Sequence, residues 1–330
     1  MHQDLQSLKE RIPLLEYLRR HNWTARPIGA HQEFVGLCPL HSETRPSFYV
    51  NAAKNLFYCH GCGRGGDLIR FVQLSLNLSF REALLHLKQQ LGLPEPDEDE
   101  ALEETVDFYQ QQLVRHSEAL DYLHCRGVHD SRLIEQLSIG YAPGGMLYRH
   151  LICLGYPADL LARIGLIHNG RDAFYRRVVF PCFAGSRPIN LYGRSIGCAA
   201  PHRFLPRSKA GLFAWSTVAN YPEVILVEGV FDLAVLWQAG FINTTCAFGV
   251  HLTDAQFSQL SDGRERTVFL ALDSDPAGQR AACALAQRLI RVGLSARIVD
   301  LPAGNDPNSY FVDGASPANF DRCLRNARRP

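Results

Sequence analysis

No apolar run in this chain of 330 residues approaches the length that crosses a bilayer, and Met1-His2-Gln3-Asp4 opens no secretory leader. A cytoplasmic protein without a membrane partner is the expectation. Net charge is lacking too: 34 Lys and Arg face 33 Asp and Glu, leaving +1, so the chain as a whole is neither a basic coat nor an acidic tail. Nor do the ten cysteines suggest a disulfide framework. Cys125, Cys153, Cys182, Cys198, Cys246, Cys283 and Cys323 stand singly and read as reduced, largely buried thiols. What remains is the composition of an ordinary globular protein, 46% hydrophobic and 20% charged, long enough for two or three domains.

The charge balance conceals segregation. Residues 1–93 hold 11 bases against 7 acids, 94–104 hold 7 acids and no base, 105–220 hold 13 bases against 7 acids, and 221–330 hold 10 against 12. These spans read as a first module, an acidic tether, a basic module and a slightly acidic module.

In the first module Leu5, Leu8, Ile12, Leu15 and Leu18 predict an amphipathic helix over 4–21. Cys38-x2-His41 and Cys59-x2-Cys62 follow, with seventeen residues between the pairs. Two ligand pairs on tight knuckles around a β-rich insert suit tetrahedral Zn²⁺, and four protein ligands make the ion structural. Paired spacing on both sides, with Pro39 and Gly61 at the knuckles, favours zinc over unrelated buried thiols. His60 lies beside a ligand but points elsewhere in a knuckle. Pro46–Val50 and Leu56–Tyr58 alternate like a hairpin, so the module reads as a zinc ribbon. Arg45, Lys54 and Arg64 around Phe48, Tyr49, Phe57 and Tyr58 suit single-stranded nucleic acid, though a packed hairpin with solvated charges explains them as well. One or two helices are expected from Asp67 to Leu91.

Pro94-Glu95-Pro96-Asp97-Glu98-Asp99-Glu100 reads as a solvated tether that forms no packed element. Residues 105–145 read as helices, one of them capped by Ser131. From 171 to 209 the character turns to β with dense positive charge: Arg171, Arg176, Arg177, Arg187, Arg194, Arg203, Arg207 and Lys209 against Asp172. Arginines at strand ends suit phosphate contacts, and the plain alternative is a solvated basic face.

From 221 strands and helices alternate, which predicts an open parallel sheet. Val224–Val227 runs into Glu228-Gly229, and Thr267–Leu272 runs into Asp273-Ser274-Asp275-Pro276-Ala277-Gly278. A fourth strand leads to Asp306-Pro307. Ligands gather at the carboxyl ends of such strands, where Glu228, Asp273, Asp275 and Asp306 converge. Adjacent carboxylates repel unless a cation sits between them, and hard oxygen ligands suit Mg²⁺ or Mn²⁺ with phosphates. Singly these acids have dull explanations: Asp232 a first-turn acid, Asp275 a helix cap. An acid at strand end after strand end points to phosphoryl transfer, with Glu228 as an acid/base group.

Val227-Glu228-Gly229-Val230-Phe231-Asp232, Leu272–Gly278 and Asp306-Pro307 resemble the three motifs of the Toprim domain, and Cys38, His41, Cys59 and Cys62 resemble the zinc ribbon of DnaG-type primases. Arg177-Val178-Val179-Phe180-Pro181, Gly193-Arg194 and Pro201–Leu205 stand where that family has a strand, a Gly-Arg turn and a Pro-Lys-Tyr-Leu-Asn segment. The resemblance covers about residues 5–91 and 105–315. It implies an α+β and α/β multidomain protein: an N-terminal zinc ribbon with helices, a basic α+β subdomain and a C-terminal Toprim domain with a Rossmann-like parallel sheet. The implied activity is synthesis of short RNA primers on a single-stranded DNA template from ribonucleoside triphosphates. Glu228, Asp273 and Asp275 would be catalytic and would hold Mg²⁺ or Mn²⁺ with Asp306. Arg177, Arg194, Arg203, Arg207 and Lys209 would meet template, RNA–DNA hybrid and triphosphate. A replicative helicase is an implied partner.

Departures from the family pattern are local. Arg203-Phe204-Leu205-Pro206 stands for Lys-Tyr-Leu-Asn, Trp215 stands near an expected lysine, and Ser274 replaces the Gly of Asp-Gly-Asp. The chain stops soon after Asp306, without the helical end of the core or a helicase-binding domain, which suggests a short form from a phage, plasmid or other mobile element. A Toprim nuclease and a non-catalytic, single-stranded-DNA-binding loading factor are the rival expectations.

Overall fold

The computed structural model describes residues 12–29, 32–90, 97–197, 200–209 and 211–330. The chain forms two compact units, Met1–Asp97 with Arg149–Leu160, and Glu98–Tyr148 with Leu161–Pro330. Among the described residues no helix is long and apolar enough to cross a membrane.

Of the helix expected over 4–21, Leu5 and Leu8 lie outside the described residues, while Leu14–Arg20 is helical and buries Leu14, Tyr17 and Leu18. The ribbon is an antiparallel meander of five strands in sequence order: Ala25–Ile28, Glu33–Gly36, Phe48–Asn51, Leu56–Cys59 and Gly65–Gly66. Period-two alternation sorts its aromatics. Phe48 and Phe57 are core residues, stacked at 5.1 Å, whereas Tyr49 and Tyr58 face each other across the strands on the exposed side. Of the four aromatics, packing in the hairpin thus accounts for Phe48 and Phe57, and only Tyr49 and Tyr58 stay available to nucleic acid. Leu68–Leu76, capped by the Asp67 side chain, and Phe80–Gln90 complete the core of this unit.

The second unit begins with a helix, Glu98–Leu113, where a tether through 104 was expected. Glu98, Asp99 and Glu100 occupy its first turn, where acids suit the positive end of the helix dipole, and Ala101, Leu102, Thr105 and Val106 are buried. The acidic stretch is therefore an element of the core from residue 98 onward. The helix at 131 starts on the Asp130 side chain, which accepts from Arg132 N–H at 2.9 Å, one residue before the expected cap.

Two sheets follow. One is antiparallel, ordered Arg203–Phe204, Arg187–Ser195, Arg177–Ala184, Gly140–Ala142. The other is fully parallel, ordered Thr244–Cys246, Glu223–Val227, Thr267–Leu270, Ser295–Ile298, with helices in the crossovers. One hydrophobic core runs from Leu113 through Phe180 and Leu226 to Ala327, so the boundary expected at 220/221 does not separate two cores.

Candidate metal centres and nucleic-acid interface

The two knuckles of the ribbon bring Cys38, His41, Cys59 and Cys62 together, with one ligand atom from each lying within 4.8 Å of the others. Among the described residues no other group of three or more His, Cys, Asp or Glu does so. His41 turns Nδ1 toward the thiols, 3.9 Å from Cys59 Sγ, and Nε2 lies 3.3 Å from Glu43 Oε2. That carboxylate also accepts from Cys38 N–H at 2.7 Å. It orients the imidazole and one knuckle at once, as outer-shell carboxylates do at metal sites. Glu43 had no signal in the sequence beyond its nearness to His41. Burial, reinforced by the neighbouring thiols, pushes Cys38 up to about 12, a cost that a bound cation removes. A Cys₃His set in this arrangement fits zinc. Close packing leaves no room for a side chain at Gly61, whose Cβ would stand 2.7 Å from Ser47 Oγ and 2.8 Å from His41 Nε2. His60 packs edge-on to Tyr49 and Tyr58, away from the ligands.

Glu228 leaves the carboxyl end of Glu223–Val227, and its Oε1 accepts from Asp273 N–H at 3.3 Å, joining two strand ends. Asp275 caps Pro276–Arg291, accepting from Gly278 N–H at 2.6 Å. Asp306 caps Pro307–Val312, accepting from Ser309 N–H at 2.6 Å. The capping explanation expected for Asp275 thus holds, and Asp306 caps a helix in the same way. Gly278 is sterically required, since a Cβ there would lie 2.3 Å from the Asp273 carbonyl oxygen. The acids share one electrostatic field. Burial, then the charges of Asp273, Asp275 and Asp306, raise Glu228 to about 6. Burial, then Asp306 and Asp275, raise Asp273. Glu228 and Asp273, raised by burial first and by the neighbouring acids second, are chemically suited to a divalent cation.

Asp232, expected from the sequence only as a first-turn acid, and Arg126, for which the sequence offers no expectation, also lie here. Asp232 is buried; its two oxygens accept from Gly229 N–H at 2.9 Å and Asn308 N–H at 3.0 Å, tying the Glu228 loop to the Asp306 loop. Burial, then Asp306, raises it to about 7. Arg126 lies with its guanidinium 4.6 Å from the Phe231 ring, and its carbonyl oxygen accepts from Asn308 Nδ2 at 2.6 Å. Its Nε is buried without a hydrogen-bond partner.

The five expected cations fare differently. Arg203 is exposed on the edge strand. Arg194 is half-buried, and the neighbouring Tyr192 and Tyr122 hydroxyls hold its guanidinium above the usual range. Arg177 donates to the carbonyl oxygens of Gly193 at 3.0 Å and Pro201 at 2.8 Å. Lys209 sits 4.4 Å over the Phe204 ring. Arg207 pairs with Glu98 at 3.0 Å, which assigns it to holding the first helix of the unit.

Residues 2–103 match the family described as CHC2 zinc finger, 108–218 the DNA primase catalytic core, N-terminal domain, and 225–311 the Toprim-like family. The DNA primase of Aquifex aeolicus is 31% identical over 95% of this chain and 67% of its own length. That of Myxococcus xanthus is 30% identical over 93% of this chain and 55% of its own, so the chain spans little more than half of that relative. The crystal structure of the Aquifex aeolicus primase zinc-binding and RNA polymerase domains superposes with a TM-score of 0.63 at 29% identity, covering 98% of this chain and 85% of that one. A DnaG primase catalytic domain bound to single-stranded DNA superposes with a TM-score of 0.60 at 26% identity, over 70% of this chain and 81% of that one.

Proposed function

Because the chain belongs to the family of DnaG-type DNA primases, we propose that it joins ribonucleoside triphosphates into short RNA primers on single-stranded DNA. The observation that carries this reading is the parallel sheet with Glu228, Asp273, Asp275 and Asp306 at its strand ends, sharing one core with the arginine-bearing antiparallel sheet.

Zinc would be held by Cys38, His41, Cys59 and Cys62 as a structural ion. Mg²⁺ or Mn²⁺ would be held by Glu228, Asp273, Asp275 and Asp306, and would supply positive charge against the phosphates of the nucleotide. The chain's own residues do the rest. Asp232 fixes the Glu228 and Asp306 loops in register through two main-chain N–H groups. With no cation bound, burial and the neighbouring acids raise Glu228 to about 6, and we assign it proton transfer in the steps where it is not held by the metal. Arg203, Arg194 and Arg126 offer planar guanidinium groups to phosphate oxygens, and Lys209 a point charge. The exposed pair Tyr49 and Tyr58 on the ribbon offers ring faces to unstacked bases.

The test is to supply the purified protein with single-stranded DNA, Mg²⁺ or Mn²⁺ and labelled ribonucleoside triphosphates. Short labelled RNA complementary to the template is expected. Nicked DNA in its place supports a nuclease, and binding without turnover over a range of templates supports a loading factor.

A further inference from the structure

Phe248 follows the strand Thr244–Cys246 and is the only aromatic residue with a left-handed backbone among the described residues, at φ 59°. A bulky side chain makes that conformation unfavourable, so its surroundings must hold it. Two sets of contacts do so. The main chain around it is tied to the loop that carries the first acid. Ala247 N–H donates to the Val227 carbonyl oxygen at 3.1 Å, and Gly249 N–H donates to that of Glu228 at 3.0 Å. The Cys246 thiol donates to the same Glu228 oxygen at 3.1 Å. The ring, meanwhile, packs on the antiparallel sheet, with its centroid 5.1 Å from Tyr192 and 5.0 Å from Phe204. Phe213 closes the set at 5.6 Å. Tyr192 and Phe204 are direct partners across neighbouring strands, and those strands carry Arg194 and Arg203.

We propose that Phe248 is a positioning residue that locks the main chain of Glu228 to the sheet carrying Arg194 and Arg203. This deepens the reading of the acids as a nucleotidyl-transfer site and rests on it. The physical argument is one of geometry. Glu228 sits in a loop, and a loop carboxylate holds its place only if its main chain is fixed. Here the fixing groups come from residues 246–249, and the ring of Phe248 anchors that segment on the arginine-bearing sheet. The left-handed backbone marks the position as over-determined by its contacts, since a relaxed loop would not place a phenylalanine there.

Three full-length, zinc-loaded variants separate positioning from bulk packing. Phe248→Gly keeps the backbone conformation and removes the ring. Phe248→Tyr keeps the ring. Leu289→Ala opens the same core from the helix Pro276–Arg291, away from residues 246–249. The first measurement is hydrogen exchange on the metal-free protein at residues 228–232 and 247–249. Phe248→Gly is expected to exchange faster there, with Phe248→Tyr and Leu289→Ala close to the wild type. The second is Mn²⁺ titration, in which Phe248→Gly is expected to bind more weakly by about tenfold, the scale seen when outer-shell supports are removed. In primer synthesis the same variant should lose kcat more than KM, with affinity for single-stranded DNA unchanged. Exchange and Mn²⁺ binding in Phe248→Gly equal to the wild type, or the same changes in Leu289→Ala at equal melting temperature, overturn the proposal. Because exchange is read without metal or substrate, it decides the role of Phe248 whether or not the wild type makes primers.

Discussion

Arg203 and Arg207 lie four residues apart in a segment that reads as uniformly basic, yet they do different work. Arg207 is drawn to Glu98 at 3.0 Å, and Arg203 is exposed on the edge strand. Arg203→Ala should therefore weaken binding to single-stranded DNA and flatten its dependence on salt by about 0.7 in the log–log slope, the share of one phosphate contact. Arg207→Ala should leave that slope alone and lower the melting temperature. Fluorescence anisotropy over a salt series, with thermal melts alongside, separates the two; equal slopes in both variants would count against the assignment. The sequence could not make this distinction, because Arg207's partner lies 109 positions away. The ties that Asp232 and Arg126 make to Asn308 are hidden for the same reason. Asn308 is 76 and 182 residues distant, and the motif Val227–Asp232 says nothing of where the Asp232 carboxylate finds its donors. Glu228, Asp273, Asp275 and Asp306 stand out in the sequence as candidates because a strand end in a parallel sheet is a local pattern with a fixed spatial meaning.

Elements were read well where apolar periodicity was clean and badly where charge concealed it. The paired Cys and His knuckles and the alternating insert gave the ribbon. The helix Glu98–Leu113 was missed through its first two turns because a dense acidic run after two prolines looks like a tether. Its buried Ala101, Leu102, Thr105, Val106 and Tyr109 recur at helical spacing, and its acids sit where a helix dipole favours them. At the opposite end of the second unit, the first turn of Pro276–Arg291 depends on Gly278. In a helix, Gly→Ala ordinarily adds up to about 1 kcal/mol of stability. Here the added Cβ would meet the Asp273 carbonyl oxygen at 2.3 Å, so Gly278→Ala should instead destabilise the protein and weaken Mn²⁺ binding. Chemical denaturation shows the sign directly, and a stabilised variant would mean that the Asp273 loop yields freely.

At the scale of the whole molecule, the acids make the metal-free protein sensitive to pH. Glu228 and Asp232 stand at about 6 and about 7 in the fold against ordinary values of 4.5 and 3.8, and Asp273 is raised as well. The folded state therefore holds protons that the unfolded chain has already released, and its stability falls as pH rises from the unfolded values through about 7. Metal-free melting temperatures should drop between about pH 5 and about pH 7.5, and Mg²⁺ should restore more at the upper end than at the lower. Asp273→Asn should shrink that slope, and a melting temperature that climbs across the window in the metal-free protein would contradict the shared field.

The continuity of the core across residue 220 was not legible, since composition marks a change of character there and says nothing about packing. That continuity joins the acids to the arginine-bearing sheet, and it underlies the functional reading. The most direct test compares wild type with Asp273→Ala on a panel of single-stranded templates with labelled ribonucleoside triphosphates and Mg²⁺ or Mn²⁺. Short complementary RNA from the wild type is predicted, and none from the variant, with both proteins equally folded and equally bound to DNA. Primer synthesis that survives in Asp273→Ala would contradict the account.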